Sequence, residues 1–266
     1  MNRRARLEGN RLLRWTLAFS ALASLGACGA EAPGWGLAES DESSSVRTPE
    51  VLARRGDRSS AQMPVELRAA YIRSVQTDAS QVYGAALVRP GEFHLTNPAQ
   101  SFGGKVDSAG LELAPADAAW SLSLRTTAVG CDGATVLLDQ PKLEAEGNRV
   151  RLVRSAIEEW YLNGPLGVEQ GFVLDQAPAC AGEKVIQMQV GGDLHAELDD
   201  GDGDGQGELI RFVRPDGTPK ATMSHLYVRD AEGKQVPAWL SVNSGAISIH
   251  LDDAGATYPL DVDPLV

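Results

Sequence analysis

From about residue 80 onward, apolar and polar positions alternate in short runs bounded by Gly, Pro, Asn or Asp, the period-two pattern of half-buried strands. The pattern predicts strands over 81–88, 101–106, 111–113, 120–126, 134–138, 148–154, 157–161 and 167–174. It predicts further strands over 184–190, 194–198, 209–213, 223–229, 236–242, 246–251 and 258–262. Ahead of them, Pro64 opens a short helical stretch over 65–75, in which Leu67, Tyr71 and Val75 recur every four residues on one face. This helix is expected to cap one end of the β structure. No long helix interrupts the strands, which argues against a parallel α/β sheet. The expected fold is all-β, an antiparallel sandwich over 63–266, built as one domain or as two consecutive β subdomains divided near residue 165.

Upstream of the helix the period disappears. Residues 29–62 are rich in Ser, Glu, Arg, Gly and Pro around the run Glu39 to Ser45, the composition of a disordered, solvated tether. The first residues carry Arg3, Arg4, Arg6, Arg11 and Arg14 against Glu8, followed by an apolar stretch over 15–25, short for a bilayer span. That stretch ends in Leu25-Gly26-Ala27-Cys28, which resembles the lipobox of bacterial lipoproteins. The resemblance implies a signal peptide over 1–27, cleavage before Cys28, a diacylglycerol thioether on its sulfur and an acyl group on the new amine. At about 0.8 kcal/mol per buried methylene, several chains make a stable anchor where one would not. Gly29 stands where an aspartate would direct inner-membrane retention, so an outer-membrane or cell-surface location is expected.

Charge and cysteine usage narrow the picture. The chain has 24 basic and 36 acidic residues; without the leader, 19 remain against 35, a net charge of −16 that argues against nucleic acid as a partner. Forty-three per cent hydrophobic residues with 6% aromatics fit a globular domain. With Cys28 lipidated, Cys131 and Cys180 remain, and an even number in an exported chain predicts a disulfide. The loop it closes would contribute about 4 kcal/mol by restricting the unfolded chain.

One segment carries recognisable ligand chemistry. Asp199-Asp200-Gly201-Asp202-Gly203-Asp204-Gly205-Gln206-Gly207-Glu208 interrupts two strand-like runs. Counted from Asp200, side-chain oxygens fall at the first, third and fifth positions, glycine at the sixth, the Gln206 carbonyl at the seventh and Glu208 at the ninth. That is the front half of an oxygen-ligand Ca²⁺ loop and predicts a structural calcium ion. Arg211 stands where an EF-hand places its bidentate glutamate, so low affinity is expected. A flexible acidic turn without metal is the competing reading.

The other polar candidates point to structure. Glu158, Glu159 and Glu169 are conceivable as the paired acids of a glycoside hydrolase, although solvated or hydrogen-bonded carboxylates are the expectation. Trp160 and Tyr161 are expected in the core rather than stacked on sugars, and Asn163-Gly164-Pro165 with Gly167 reads as a tight turn. His94, His195, His225 and His250 show no metal-ligand spacing, and Ser155 and Ser224 lack a nucleophile-elbow context. No Gly-rich stretch leads into a helix as a phosphate loop does.

Two runs, Glu159 to Phe172 and Asp252 to Leu265, resemble segments of a β-rich module of large myxobacterial surface proteins, where it precedes FG-GAP, integrin-like propeller repeats. In that family the Tyr258-Pro259 and Asp263-Pro264-Leu265 pattern leads into the propeller, whereas this chain ends at Val266, so propeller ligands are not carried over. The resulting expectation is a lipid-anchored, exported protein of structural or interaction type without an assigned catalytic activity. Its partners would be the membrane, through the anchor, and a cell-envelope protein or glycan. The alternative is a carbohydrate-binding module or carbohydrate-acting enzyme at the cell surface.

Overall fold

The computed structural model of the protein describes residues 63–266; the expected signal peptide, Cys28 and the tether lie outside the described residues. Helix α1 (Val65–Asp78) comes first, followed by β1 (Ala86–Arg89), β2 (Glu92–Asn97), β3 (Phe102–Asp107), β4 (Gly110–Pro115), β5 (Leu122–Cys131) and β6 (Ala134–Leu137). Then come β7 (Lys142–Glu146), β8 (Arg149–Val153), β9 (Glu158–Gly164), β10 (Gly167–Leu174), β11 (Lys184–Gly192) and β12 (His195–Asp199). The chain closes with β13 (Leu209–Val213), β14 (Pro219–Arg229), β15 (Ala238–Asn243), β16 (Ala246–Leu251) and β17 (Leu260–Leu265).

All ladders between these strands are antiparallel and form two sheets. The first runs β1-β2-β3-β4-β5-β11-β16-β15, with β6 also paired to β5; the second runs β12-β13-β14-β17-β10-β9-β8-β7. Pairings cross residue 165 in both: β9 joins β10 in the second sheet and β5 joins β11 in the first.

The sheets pack face to face through two apolar clusters. The larger sets Leu122 and Leu124 of β5, Ile186 and Met188 of β11 and Ile247 and Ile249 of β16 against Phe172, Ile210, Phe212, Met223 and Val262 of the second sheet. The smaller sets Leu95, Val106, Leu111 and Leu113 against Val150, Leu152, Tyr161 and Val168. Along β10, polar Gln170 separates Val168 of one cluster from Phe172 of the other, so a buried polar seam runs between them.

That seam is built around Glu159. Its Oε1 accepts hydrogen bonds from the Thr126 hydroxyl of the facing sheet (2.7 Å), from the Tyr161 hydroxyl and from Gln170 Nε2 (3.0 Å), while Oε2 accepts from Arg154 (2.8 Å). Burial beside this carboxylate pushes the Tyr161 phenol well above its usual range. A buried carboxylate is tolerated when its lone pairs are occupied, and here the donors come from both layers.

The helix departs from its sequence pattern. Leu67 is 57% exposed, and the buried positions are Ile72 and Gln76. The helix docks through polar contacts: Gln76 donates to the Leu162 and Gly167 carbonyls (3.3 and 3.1 Å) and accepts from the Leu166 N–H (3.1 Å). Asn97, Asn148 and Asn163 complete this knot around the β9–β10 turn, with Asn163 donating to the Tyr83 and Thr96 carbonyls. A Cβ on Gly164 would stand 2.2 Å from Gln76 Oε1, so glycine is required for the helix to approach. The Asn163-Gly164-Pro165 run is therefore an architectural joint.

Candidate functional site

The acidic run forms the loop of the β12–β13 hairpin, whose register pairs Asp199 with Leu209 at the loop base. Asp200 organises it. Its carboxylate accepts from the N–H of Gly203 (2.7 Å), Asp204 (3.2 Å) and Gly205 (2.7 Å). Gly203 and Gly205 hold φ of 78° and 82°, values that let the backbone curl around the side chain. The N–H of Gly205 and then that of Gly203 keep the Asp200 carboxyl below the usual carboxylate range. At the loop exit, Gly207 and Leu240 of β15 exchange backbone hydrogen bonds of 3.0 and 2.9 Å, pinning the hairpin to the first sheet. A Cβ on Gly207 would lie 2.8 Å from Leu198 Cδ1.

One carboxylate oxygen from each of Asp200, Asp202 and Asp204 lies within 4.8 Å of the others. Unit charges about 4 Å apart repel by about 1 kcal/mol even in water, so the arrangement favours a cation or a neighbouring proton. The donors are hard oxygens, as Ca²⁺ requires, and the Gln206 carbonyl and water would supply further ligands. Glu208 does not join the three aspartates, and Arg211 pairs with Asp199 across the hairpin, away from the loop. The set is thus three close aspartate carboxylates without a closing acid.

The cysteine pairing has direct geometry. Cys131, at the end of β5, is disulfide-bonded to Cys180 in the β10–β11 connection, with Cα atoms 6.0 Å apart. The bridge ties the chain returning from the second sheet to the end of β5, the strand that β11 pairs with on re-entering the first sheet.

The three glutamates of the β9–β10 hairpin do not converge. Glu159 faces the seam, whereas Glu158 and Glu169 face the outside of the second sheet. Glu158 stands opposite Val173, four residues along β10 from Glu169, a separation of about 13 Å at the usual strand rise. That exceeds the spans used by paired glycosidase acids. Glu158 instead receives a bidentate pair from Arg151.

Nothing in the sequence marks Glu169 as a buried carboxyl without donors. It is 1% exposed, and neither oxygen receives a hydrogen bond from an N–H or hydroxyl of the described residues. Burial, then the adjacent Asp263 carboxyl, pushes its pKa up to about 9, and burial also raises Asp263. The Asp263 carboxyl thus disfavours ionisation of Glu169. Arg73 of α1 closes over them, with NH2 2.8 Å from Asp263 and 3.2 Å from Asp261, and Arg229 holds Asp261 from β14 (2.8 Å). Beside this cluster Trp160 lies flat on Gly171, with the Arg149 guanidinium 4.1 Å from the centre of a Trp160 ring. Trp160 and Tyr161 are both buried, on opposite faces of β9.

The histidines are dispersed: His94 meets Glu92, His195 meets Glu197, His225 meets Ser224, and His250 lies on the outer face of the first sheet beside Trp239. Compared with protein-family models, with curated proteins and with solved structures, the chain finds no match in any of the three.

Proposed function

We propose that this chain is a lipid-anchored, exported β-sandwich of structural or interaction type, held at the outer membrane or cell surface through acylated Cys28. The observation that carries the reading is the Cys131–Cys180 disulfide, because such bonds persist in oxidising compartments outside the cytosol. The leader-like N-terminus and the Leu25-Gly26-Ala27-Cys28 run agree with that destination. The buried carboxyls support a structural role, since Glu159 is occupied by four donors and Glu169 is buried beside Asp263 with its pKa raised. Ca²⁺ in the Asp200, Asp202 and Asp204 loop would be a structural ion stiffening a hairpin already pinned to β15. The partner is a cell-envelope protein or glycan, in keeping with the resemblance to the module that precedes FG-GAP repeats.

Detergent-phase partitioning tests the anchor. Wild-type protein expressed in a Gram-negative host is expected in the detergent phase and Cys28→Ser in the aqueous phase. Both variants remaining aqueous removes the reading. Non-reducing peptide mapping of the wild type is expected to recover a linked pair containing Cys131 and Cys180, and free thiols at both positions would remove the export argument.

A further inference from the structure

The outer face of the first sheet carries a side-chain row that the reading above does not use. In the ladder β15-β16-β11, Trp239 and Val185 both pair with His250, and Ser241 pairs with Ser248. Leu240, Ile247, Ile249 and Leu251 point into the larger apolar cluster. Strand alternation therefore places Trp239, Ser241, Ser248 and His250 together on the opposite, outward face. Ser241 Oγ lies 2.7 Å from His250 Nε2, and His250 Nδ1 contacts Glu183 Oε1 from the residue preceding β11. The Trp239 and His250 rings stack with centroids 5.4 Å apart and planes 3° from parallel, which fixes the imidazole orientation.

The polarity of the row follows from its chemistry. A carboxylate only accepts, so Glu183 selects the tautomer with the proton on Nδ1. That leaves the Nε2 lone pair facing the Ser241 hydroxyl, which donates to it. A hydroxyl held by an imidazole base, itself oriented by an acid, is the arrangement that activates a serine, and it is recognised by geometry rather than by sequence position. Surface hydrogen bonding alone asks for no such order. Here three strands and a stacked indole hold it, and Ser241 and His250 remain partly exposed to solvent.

We infer that Ser241, His250 and Glu183 form an acyl-transfer site acting on carboxylic esters, with Ser241 the nucleophile, His250 the general base and Glu183 the positioning residue. As Ser241 Oγ bonds to the ester carbonyl carbon, its proton passes to His250 Nε2. The bond to the alkoxide oxygen then breaks, and the departing alcohol takes that proton. Water next adds to the acyl-serine carbon, giving one proton to His250; the acyl bond to Ser241 breaks, the carboxylic acid leaves and the proton returns to Ser241 Oγ. Glu183 stays ionised and stabilises the transient imidazolium. Ser248, directly across from Ser241 with Cα atoms about 5 Å apart, puts a second hydroxyl on the same face, and we assign it the role of donor to the developing oxyanion. The open sheet face suits an ester displayed on a larger molecule or a small soluble one.

The inference is independent of lipidation and is tested on the disulfide-bonded wild type. An alkyl fluorophosphonate should leave its phosphonyl adduct on Ser241, located by peptide mass spectrometry, and the protein should hydrolyse p-nitrophenyl acetate above the buffer rate. Ser241→Ala, which removes one oxygen from a partly exposed position, should abolish both. Glu183→Gln should slow labelling at least tenfold, and His250→Gln more, with melting temperatures recorded for each variant. The absence of an adduct on Ser241 of the folded wild type under excess probe overturns the inference without reference to any variant. Labelling at an unchanged rate in a folded His250→Gln protein overturns it as well.

Discussion

Two hairpins of this molecule carry clustered acids and handle them in opposite ways. The β9–β10 hairpin buries Glu159 on one face and Glu169 on the other, while the β12–β13 hairpin holds Asp202 and Asp204 in water. Glu159 is surrounded by Thr126, Arg154, Tyr161 and Gln170, all donating to it. Glu169 receives no such donor, so burial beside Asp263 leaves it protonated up to about pH 9. Asp200, at the edge of solvent, is satisfied by the N–H groups of its own loop. The same functional group thus takes three states, and the supply of donors decides which more than burial does.

The sharpest way to break this contrast is Glu159→Ala. It leaves the Arg154 guanidinium buried without its partner and should cost about 3–5 kcal/mol in urea denaturation, with the midpoint shifting far more than the slope. A loss below about 1 kcal/mol would mean that the seam relaxes or admits water.

Glu169→Gln should act with the opposite sign and depend on pH. A carboxyl whose folded pKa stands near 9 against an ordinary 4.5 binds more protons folded than unfolded. Wild-type stability therefore falls as pH rises between about 4.5 and 9, at no more than about 1.4 kcal/mol per pH unit for this group. The amide mimics the protonated acid and can donate to Asp263. The variant should thus match the wild type near pH 4.5 and exceed it increasingly toward pH 9 in thermal melts. Parallel pH profiles for the two proteins would show that Glu169 is already ionised when folded.

The smallest effect belongs to the exposed hairpin. In chelator, the double variant Asp202→Ala with Asp204→Ala should stay within about 0.5 kcal/mol of wild type, since these side chains lie in water. Added Ca²⁺ should separate them: the wild type gains about 2.7 kcal/mol at 100 times the dissociation constant, and the variant gains nothing. Equal calcium shifts in both would place the ion elsewhere, and identical melting of the wild type in calcium and chelator would leave the loop a plain acidic turn.

The legible parts of the chain share a physical property. Strands such as β10, β13 and β16 coincide with their predicted ranges because alternation is local and each of their neighbours obeys the same period. Two strands escaped. β2, Glu92–Asn97, carries Glu, His and Thr, which break up the apolar run that marks the other strands. β7, Lys142–Glu146, has a helix-forming composition and is held as a strand by Glu144 reaching Arg151 across the β8 pairing. The helix pattern of Leu67, Tyr71 and Val75 misled for a related reason: α1 docks by hydrogen bonds and ion pairs, so its buried side is marked by Gln76 and Arg73.

The sequence alone determined the sandwich class, the helix position and the acidic loop, whose organising contacts span no more than five residues from Asp200 to Gly205. Such contacts form wherever the local chain can curl, so residue order suffices to announce them. The seam around Glu159, the burial of Glu169 beside Asp263, and the meeting of Ser241 with His250 and of His250 with Glu183, 67 residues away, belong to the tertiary structure. Each depends on which strands are neighbours and in what register, and a slip of one residue would turn those side chains to the other face.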